Sequence, residues 1–226
     1  MTDMQKKERQ VLTRISFIHG VTSKTTQGRL RDDDWSPTVI HVRIVSPEAA
    51  RDPSRALNRP GTVGEATVYL YDLQQMCDCG RDVWDELDCY CSATSRLGDL
   101  ICKNDQPVTK KFCAQLSEAF HTTVRQDDIR RVAYVERRTT KARYRSNGIT
   151  SLFYEDIFRV FNPDIILTYP FPLQYEGRHD LKPRKGDEFR LTFQQAMTKL
   201  KGVYRRAGMR NVGPLWMAIL NPRLIK

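Results

Sequence analysis

The sequence predicts an α/β chain in which strands and helices pack as a mixed sandwich on one sheet. Three observations predict it. Runs of β-branched and aromatic residues recur as strands along the whole chain. Apolar residues spaced three and four apart mark helices between the later strands. With 226 residues, 40% of them apolar, the chain is long enough for one good-sized core or two small ones.

The elements follow in order. Residues 1–10 are polar and read as a flexible tail, and 11–226 read as a single domain. RISFIHGV supplies a first strand, and the polar stretch 21–37, with RLRDDDW inside, reads as a loop. TVIHVRIV (38–45) places β-branched residues at alternate positions, as a strand does. The Pro- and Gly-rich run 46–64 reads as a loop, and EATVYLYDL (65–73) as a strong strand. DVWDELDCYCSATSRLGDLI (82–101) reads as one helix. KKFCAQLSEAF (110–120) reads as a second, with Phe112, Leu116 and Phe120 on one face. IRRVAYVERR (129–138) is the next strand. The helix predicted over 149–161 lines up Ile149, Leu152, Phe153, Ile157, Val160 and Phe161, and Asn162-Pro163-Asp164 stops it. IILTYPF (165–171) is a strand, 172–188 a loop, and 189–208 a helix stopped by Gly208. PLWMAIL (214–220) closes the chain as a strand.

Composition narrows the function classes. No apolar run approaches the ~20 residues that a membrane-spanning helix needs. The polar start has no apolar signal core, so a cytoplasmic location is expected and the six cysteines read as reduced thiols. Cys77/Cys79 and Cys89/Cys91 are C-x-C pairs, whereas structural zinc sites use C-x-x-C-type spacing. Residues two apart on a helix do not face one way, so no metal site is expected. His19, His41, His121 and His179 stand in unrelated contexts and suggest no cysteine–histidine catalysis. The net charge of +10 suits an acidic ligand, an acidic protein surface or nucleic acid.

The stretch ARYRSNGITS (142–151) lies between a strand and a helix. A helix N-terminus has unpaired N–H groups and a partial positive charge, and small residues there let the backbone approach an anion. Arg145, Ser146, Asn147 and Gly148 supply such a loop, with Arg143 adding charge.

With YVERRTTKARYRSNGIT leading from strand to helix, IILTYPF followed by PFPLQYEG, and KLKGVYRRAGM, the chain resembles the GNAT superfamily of acetyl-CoA-dependent N-acetyltransferases. The resemblance covers 129–220, with a weaker extension back through ATVYLYDL. It implies an α/β (α+β) fold with a mixed, mostly antiparallel central sheet flanked by helices on both faces. It implies direct acetyl transfer from acetyl-CoA to an amine, with no metal. The pyrophosphate of acetyl-CoA is expected on backbone amides of Arg145, Ser146, Asn147, Gly148, Ile149 and Thr150. The pantetheine arm is expected along Arg138, Thr139 and Thr140, and Arg143 is expected to meet the 3′-phosphate. Tyr204 matches the tyrosine that protonates the leaving thiolate, and Glu136 is placed to accept the amine proton. Thr150 stands where the family has glycine or alanine, and Met197 where many members have asparagine. The expected acceptor is an amine on a small molecule, a protein or an aminoacylated RNA. Nucleic acid and a second copy of the chain in a homodimer are further candidate partners.

A competing expectation is a catalytically inactive binding module on the same fold, presenting a basic surface to nucleic acid or an acidic protein. Arg125, Arg130, Arg131, Arg137, Arg138, Lys141, Arg143 and Arg145 crowd one region, with Tyr134 and Tyr144 among them for base stacking. Acceptor selectivity is expected in the loops 46–64 and 172–188.

Overall fold

Seven strands form one sheet in the order β1-β2-β3-β4-β5-β7-β6. They are β1 (Phe17–Gly20), β2 (Thr38–Val45), β3 (Thr62–Asp72), β4 (Arg131–Thr140), β5 (Ile165–Thr168), β6 (Arg210–Val212) and β7 (Trp216–Leu220). Every neighbouring pair is antiparallel except β4–β5. A parallel pair needs a crossover, and α5 (Ile149–Phe161) provides it. The other helices are α1 (Leu73–Asp78), α2 (Val83–Asp88), α3 (Ser92–Ile101), α4 (Lys110–Phe120) and α6 (Phe193–Arg206). This computed structural model describes residues 17–20, 38–45, 62–88, 92–103, 106–141, 145, 148–177, 180–182 and 190–225. The expected tail, the loop 21–37, residues 46–61, residues 178–179 and 183–188 of the second loop and the Cys89/Cys91 pair lie outside them.

Strand alternation sorts the core into two layers. Val132 and Tyr134 of β4, with Ile165, Leu167, Trp216 and Ala218, join Met76, Leu87, Leu97, Phe112 and Leu116 under α1–α4. Ala133 and Val135, with Ile166 and Met217, join Phe153, Ile157 and Tyr204 under α5 and α6. The sheet is thus flanked by helices on both faces, as expected. Phe112 and Phe153 are fully buried, and truncating either to alanine would cost about 3–5 kcal/mol.

Helix ends follow local chemistry. The Thr109 side chain accepts from Phe112 N–H and starts α4. At α6, Thr192 and Gln195 form a capping box, so the helix begins at Phe193 and not at the expected 189. The single helix expected over 82–101 is instead α2 and α3, which lie side by side, with Trp84 Nε1 donating to Asp99 Oδ1 at 3.2 Å. Two short elements escaped the pattern. One is α1, capped by the Asp72 carboxylate on Gln75 N–H. The other is β6, which makes a terminal hairpin with β7 through Gly213 at φ +65°. The strand predicted to run to 171 ends at Thr168, because Pro170 has no N–H for a ladder. Val160, placed on the apolar stripe of α5, is 43% exposed.

Candidate functional site

The site is built where β4 outruns β5. Their pairing ends at Val135–Thr168, and the Thr168 hydroxyl donates to the Val135 carbonyl at 2.9 Å. Beyond that point β4 continues through Glu136–Thr140 with no β5 partner. Five residues of strand leave about 16 Å of edge open on that side. The chain after β5 swings away and anchors on α6. Phe171 and Tyr175 pack on Phe193 with ring centroids 5.6 and 5.4 Å apart, and Tyr175 Oη donates to the Leu191 carbonyl. It then returns across the mouth, where Glu176 pairs with Arg137 at 2.6 Å.

A β-bulge aims the side chains. Val68 of β3 pairs with Val135 and Thr67 with Arg137, so Glu136 has no partner on β3. The extra residue shifts the in–out alternation by one. Arg138, rather than Arg137, therefore turns to the α5/α6 face. Its guanidinium carbon lies 6.0 Å from the Phe153 ring centroid and 5.9 Å from that of Tyr204. Both distances fit cation–π contact. Glu136 goes the other way and accepts from Tyr69 Oη at 3.1 Å. Tyr69 stacks on Tyr134 and packs against the α1–α4 layer, so Glu136 and Tyr204 lie on opposite faces of the sheet.

Two buried polar atoms beside Tyr204 have no hydrogen-bond partner among the described residues: Arg138 Nε and Tyr154 Oη. The Tyr154 and Tyr204 rings are 6.4 Å apart. Burial pushes the Tyr154 phenol well above its ordinary pKa, with the Tyr204 hydroxyl adding to the rise and Arg138 opposing it. At any ordinary pH Tyr154 is a neutral donor. Buried donors are normally satisfied, so this pair marks a place where an acceptor-bearing ligand would be stabilised.

The helix that follows is suited to an anion. Gly148 caps α5 at φ +75°, brings no side-chain acceptor, and no acidic residue stands in the first turn. A Cβ added at Gly148 would meet nothing within 4 Å, so the approach is open. Ile149 is buried beneath this turn and Thr150 is half-exposed. Arg145 is held back toward the strand, its Nε donating to the Thr140 carbonyl at 3.0 Å. Thr140 Oγ1 accepts from Arg138 at 3.4 Å, and Thr139 Oγ1 donates to the Glu65 carbonyl at 3.4 Å. Arg143, Ser146 and Asn147 lie outside the described residues.

The structure thus brings Arg138, Thr140, Gly148–Thr150 and Tyr204 to one side of the β4 edge and Glu136 to the other. Sequence reasoning missed Tyr154, Tyr69 and Glu176. Tyr154 had a signal, since it sits one position beyond Phe153 on the buried stripe. The other two had none, because only the sheet brings them near β4.

The basic cluster read from the sequence does not form one surface. Arg131 and Arg138 are seven residues apart on β4, about 23 Å. Arg131 pairs with Asp72, Arg137 with Glu176, and Arg130 Nε donates to the Asp127 carbonyl. Tyr134 is only 2% exposed and offers no face for a base, and Tyr144 lies outside the described residues.

Among the described residues no group of histidine, cysteine and carboxylate side chains converges as a metal site. Nor is any described helix long and apolar enough to cross a membrane. The chain matches no protein-family model, no curated protein and no solved structure.

Proposed function

We propose that the chain is an acetyl-CoA-dependent N-acetyltransferase of the GNAT kind its sequence resembles. One observation supports this reading above the others. The open β4 edge leads, within ten residues, from the unpartnered buried Arg138 Nε to an uncapped helix N-terminus, and that helix carries the second such donor, Tyr154 Oη. Acetyl-CoA is a long, acceptor-rich chain ending in phosphates, and these residues fit it in that order. The β4 edge at Arg138–Thr140 offers main-chain hydrogen bonds to its amides. Arg138 Nε–H and Tyr154 O–H offer two side-chain donors. The first-turn amides of α5 suit a pyrophosphate.

Acetyl-CoA supplies an acetyl group activated as a thioester. The chain manages protons around it. A neutral amine nitrogen bonds to the acetyl carbon as the carbon–sulfur bond breaks. Glu136, on one face of the sheet, takes the proton released by the amine. Tyr204, on the other, gives a proton to the departing sulfur. Opposite faces separate the two proton transfers, and the gap beside β4 is where the acetyl group would pass between them. Tyr69, hydrogen-bonded to Glu136, orients the base.

A second reading draws on Arg138. Its guanidinium over Tyr204 puts a cation against the side chain that would protonate the leaving sulfur. In that reading the fold is retained without acetyl transfer, as a binding module.

Calorimetric titration with acetyl-CoA separates the two. Micromolar binding is expected in the wild type and its loss in a Gly148→Asp variant. Aspartate tolerates positive φ and is a good N-cap, so the variant should stay folded while repelling phosphate. A well-folded wild type that does not bind acetyl-CoA removes the enzyme reading.

A further inference from the structure

The basic excess has a location that the strand arginines do not reveal. From Phe189 to Lys226 the sequence has no aspartate or glutamate. Much of the positive charge in that run is on one surface. At 100° per residue, Leu200, Tyr204 and Ala207 of the α6 segment point into the core. The opposite arc spans about 160°, with Lys199 at one border, Lys201 at the other, and Arg205, Arg206 and the neutral Gln194, Gln195 and Thr198 between them. All of these are exposed except Lys201, which is half-buried and donates from Nζ to the Pro214 carbonyl at 3.3 Å. That bond ties α6 to the β6–β7 turn. β6, the edge strand, adds exposed Asn211, which pairs with Met217 of the α5/α6 layer. Among the described residues no carboxylate pairs with Arg205 or Arg206.

We infer that this face of α6 and β6 docks a nucleic-acid backbone. The chemistry selects that partner. A protein interface needs an apolar, aromatic-rich centre, and this face offers no aromatic and one exposed apolar side chain at its border, Leu215. A membrane surface needs an apolar helix face to insert, and the apolar face of α6 is committed to the core. What remains is cations interleaved with amide and hydroxyl donors, the composition that phosphate and sugar contacts use. Lys199 and Arg206 are about 10 Å apart along the helix axis, enough to span successive phosphates. The contact is with the backbone, so binding is insensitive to base sequence.

The inference is independent of acetyl transfer and is tested without it. Fluorescence anisotropy on the full chain with a labelled mixed-sequence 20-mer RNA should show binding at 50 mM salt. About four phosphate contacts predict a log–log salt slope near −2.8, a loss of about fiftyfold between 50 and 200 mM. Arg205→Gln/Arg206→Gln should weaken binding at least tenfold and make the slope shallower by about 1.4. Lys199→Gln/Lys201→Gln, in the middle of the helix, should behave alike and serves if the first pair perturbs the helix end. Lys110→Gln/Lys111→Gln, on the opposite face of the sheet, makes the same charge change and should leave the slope unchanged. Absence of binding at 50 mM salt overturns the inference. So does equal weakening by the α4 pair, which would mean net charge alone. Competition by polyglutamate as effective as by unlabelled RNA, at equal charge, would assign the face to an acidic polypeptide instead.

Discussion

Asp164 should be the most costly single carboxylate to remove, and the reason is local. It sits at the start of β5 and is 4% exposed. Its Oδ2 accepts from the backbone N–H groups of Arg130 and Arg131 at 2.8 and 2.7 Å. Its Oδ1 accepts from the Arg223 guanidinium. Its own N–H donates to the Arg131 carbonyl at 2.9 Å, and its carbonyl accepts from Asn221 N–H at 2.8 Å. One residue therefore ties the entry of β4, the entry of β5 and the end of β7. Asp164→Ala leaves two part-buried N–H groups without acceptors, each costing about 1–1.5 kcal/mol. The Arg223 side chain is 48% exposed, so losing that pair adds little. The sum is about 3 kcal/mol, a large fraction of the 5–15 kcal/mol typical of a domain. For a chain of this size that lowers the thermal midpoint by about 6–12 °C. Asp164→Asn keeps an oxygen for the two N–H groups and should cost about 1 kcal/mol. Urea unfolding followed by circular dichroism measures both. An alanine variant within 1 kcal/mol of wild type would refute the reasoning, as would an asparagine variant equally damaged.

Three further outcomes follow from the geometry. A Cβ at Gly64 would stand 2.4 Å from the Thr139 carbonyl oxygen, so Gly64→Ala must push β3 from β4. It should cost about 1–3 kcal/mol and weaken acetyl-CoA affinity too, and an unchanged unfolding midpoint would sink that expectation. Burial pushes the Cys102 thiol from 9.0 up to about 12, with the Asp82 charge and Cys77 adding to the shift. The neutral thiol is favoured in the fold, so this contribution is fully present below pH 9 and is lost as pH rises toward 12. Wild-type stability should fall between those values by up to about 1.4 kcal/mol per pH unit more than that of Cys102→Ala, read from urea midpoints at each pH. In an acetylation assay, Glu136→Gln and Tyr204→Phe should each lower kcat by about 10²–10⁴-fold with little change in acetyl-CoA KM. Full activity in either variant would withdraw that residue's role.

Much of this protein was determined by sequence alone because the signals are local. The 110–120 and 149–161 helices were legible to the residue, since each needs only a 3.6-residue apolar stripe and its own caps. TVIHVRIV was legible as a strand for the same kind of reason. The anion-suited cap at Gly148 was visible as a small-residue loop before a helix. The tertiary structure decided the rest. The bulge at Glu136 depends on register with β3, and it alone sends Arg138 toward Tyr204 and Glu136 toward Tyr69. The open edge beyond Val135 exists because Pro170 turns the chain after β5 away, a relation between residues 35 positions apart in sequence. The strand arginines, contiguous in sequence, are dispersed by a strand that rises about 3.3 Å per residue. The cations of α6 are gathered because a helix returns them to one side every few residues. Periodicity is written in the chain, but which neighbour each face meets is fixed only when the sheet closes.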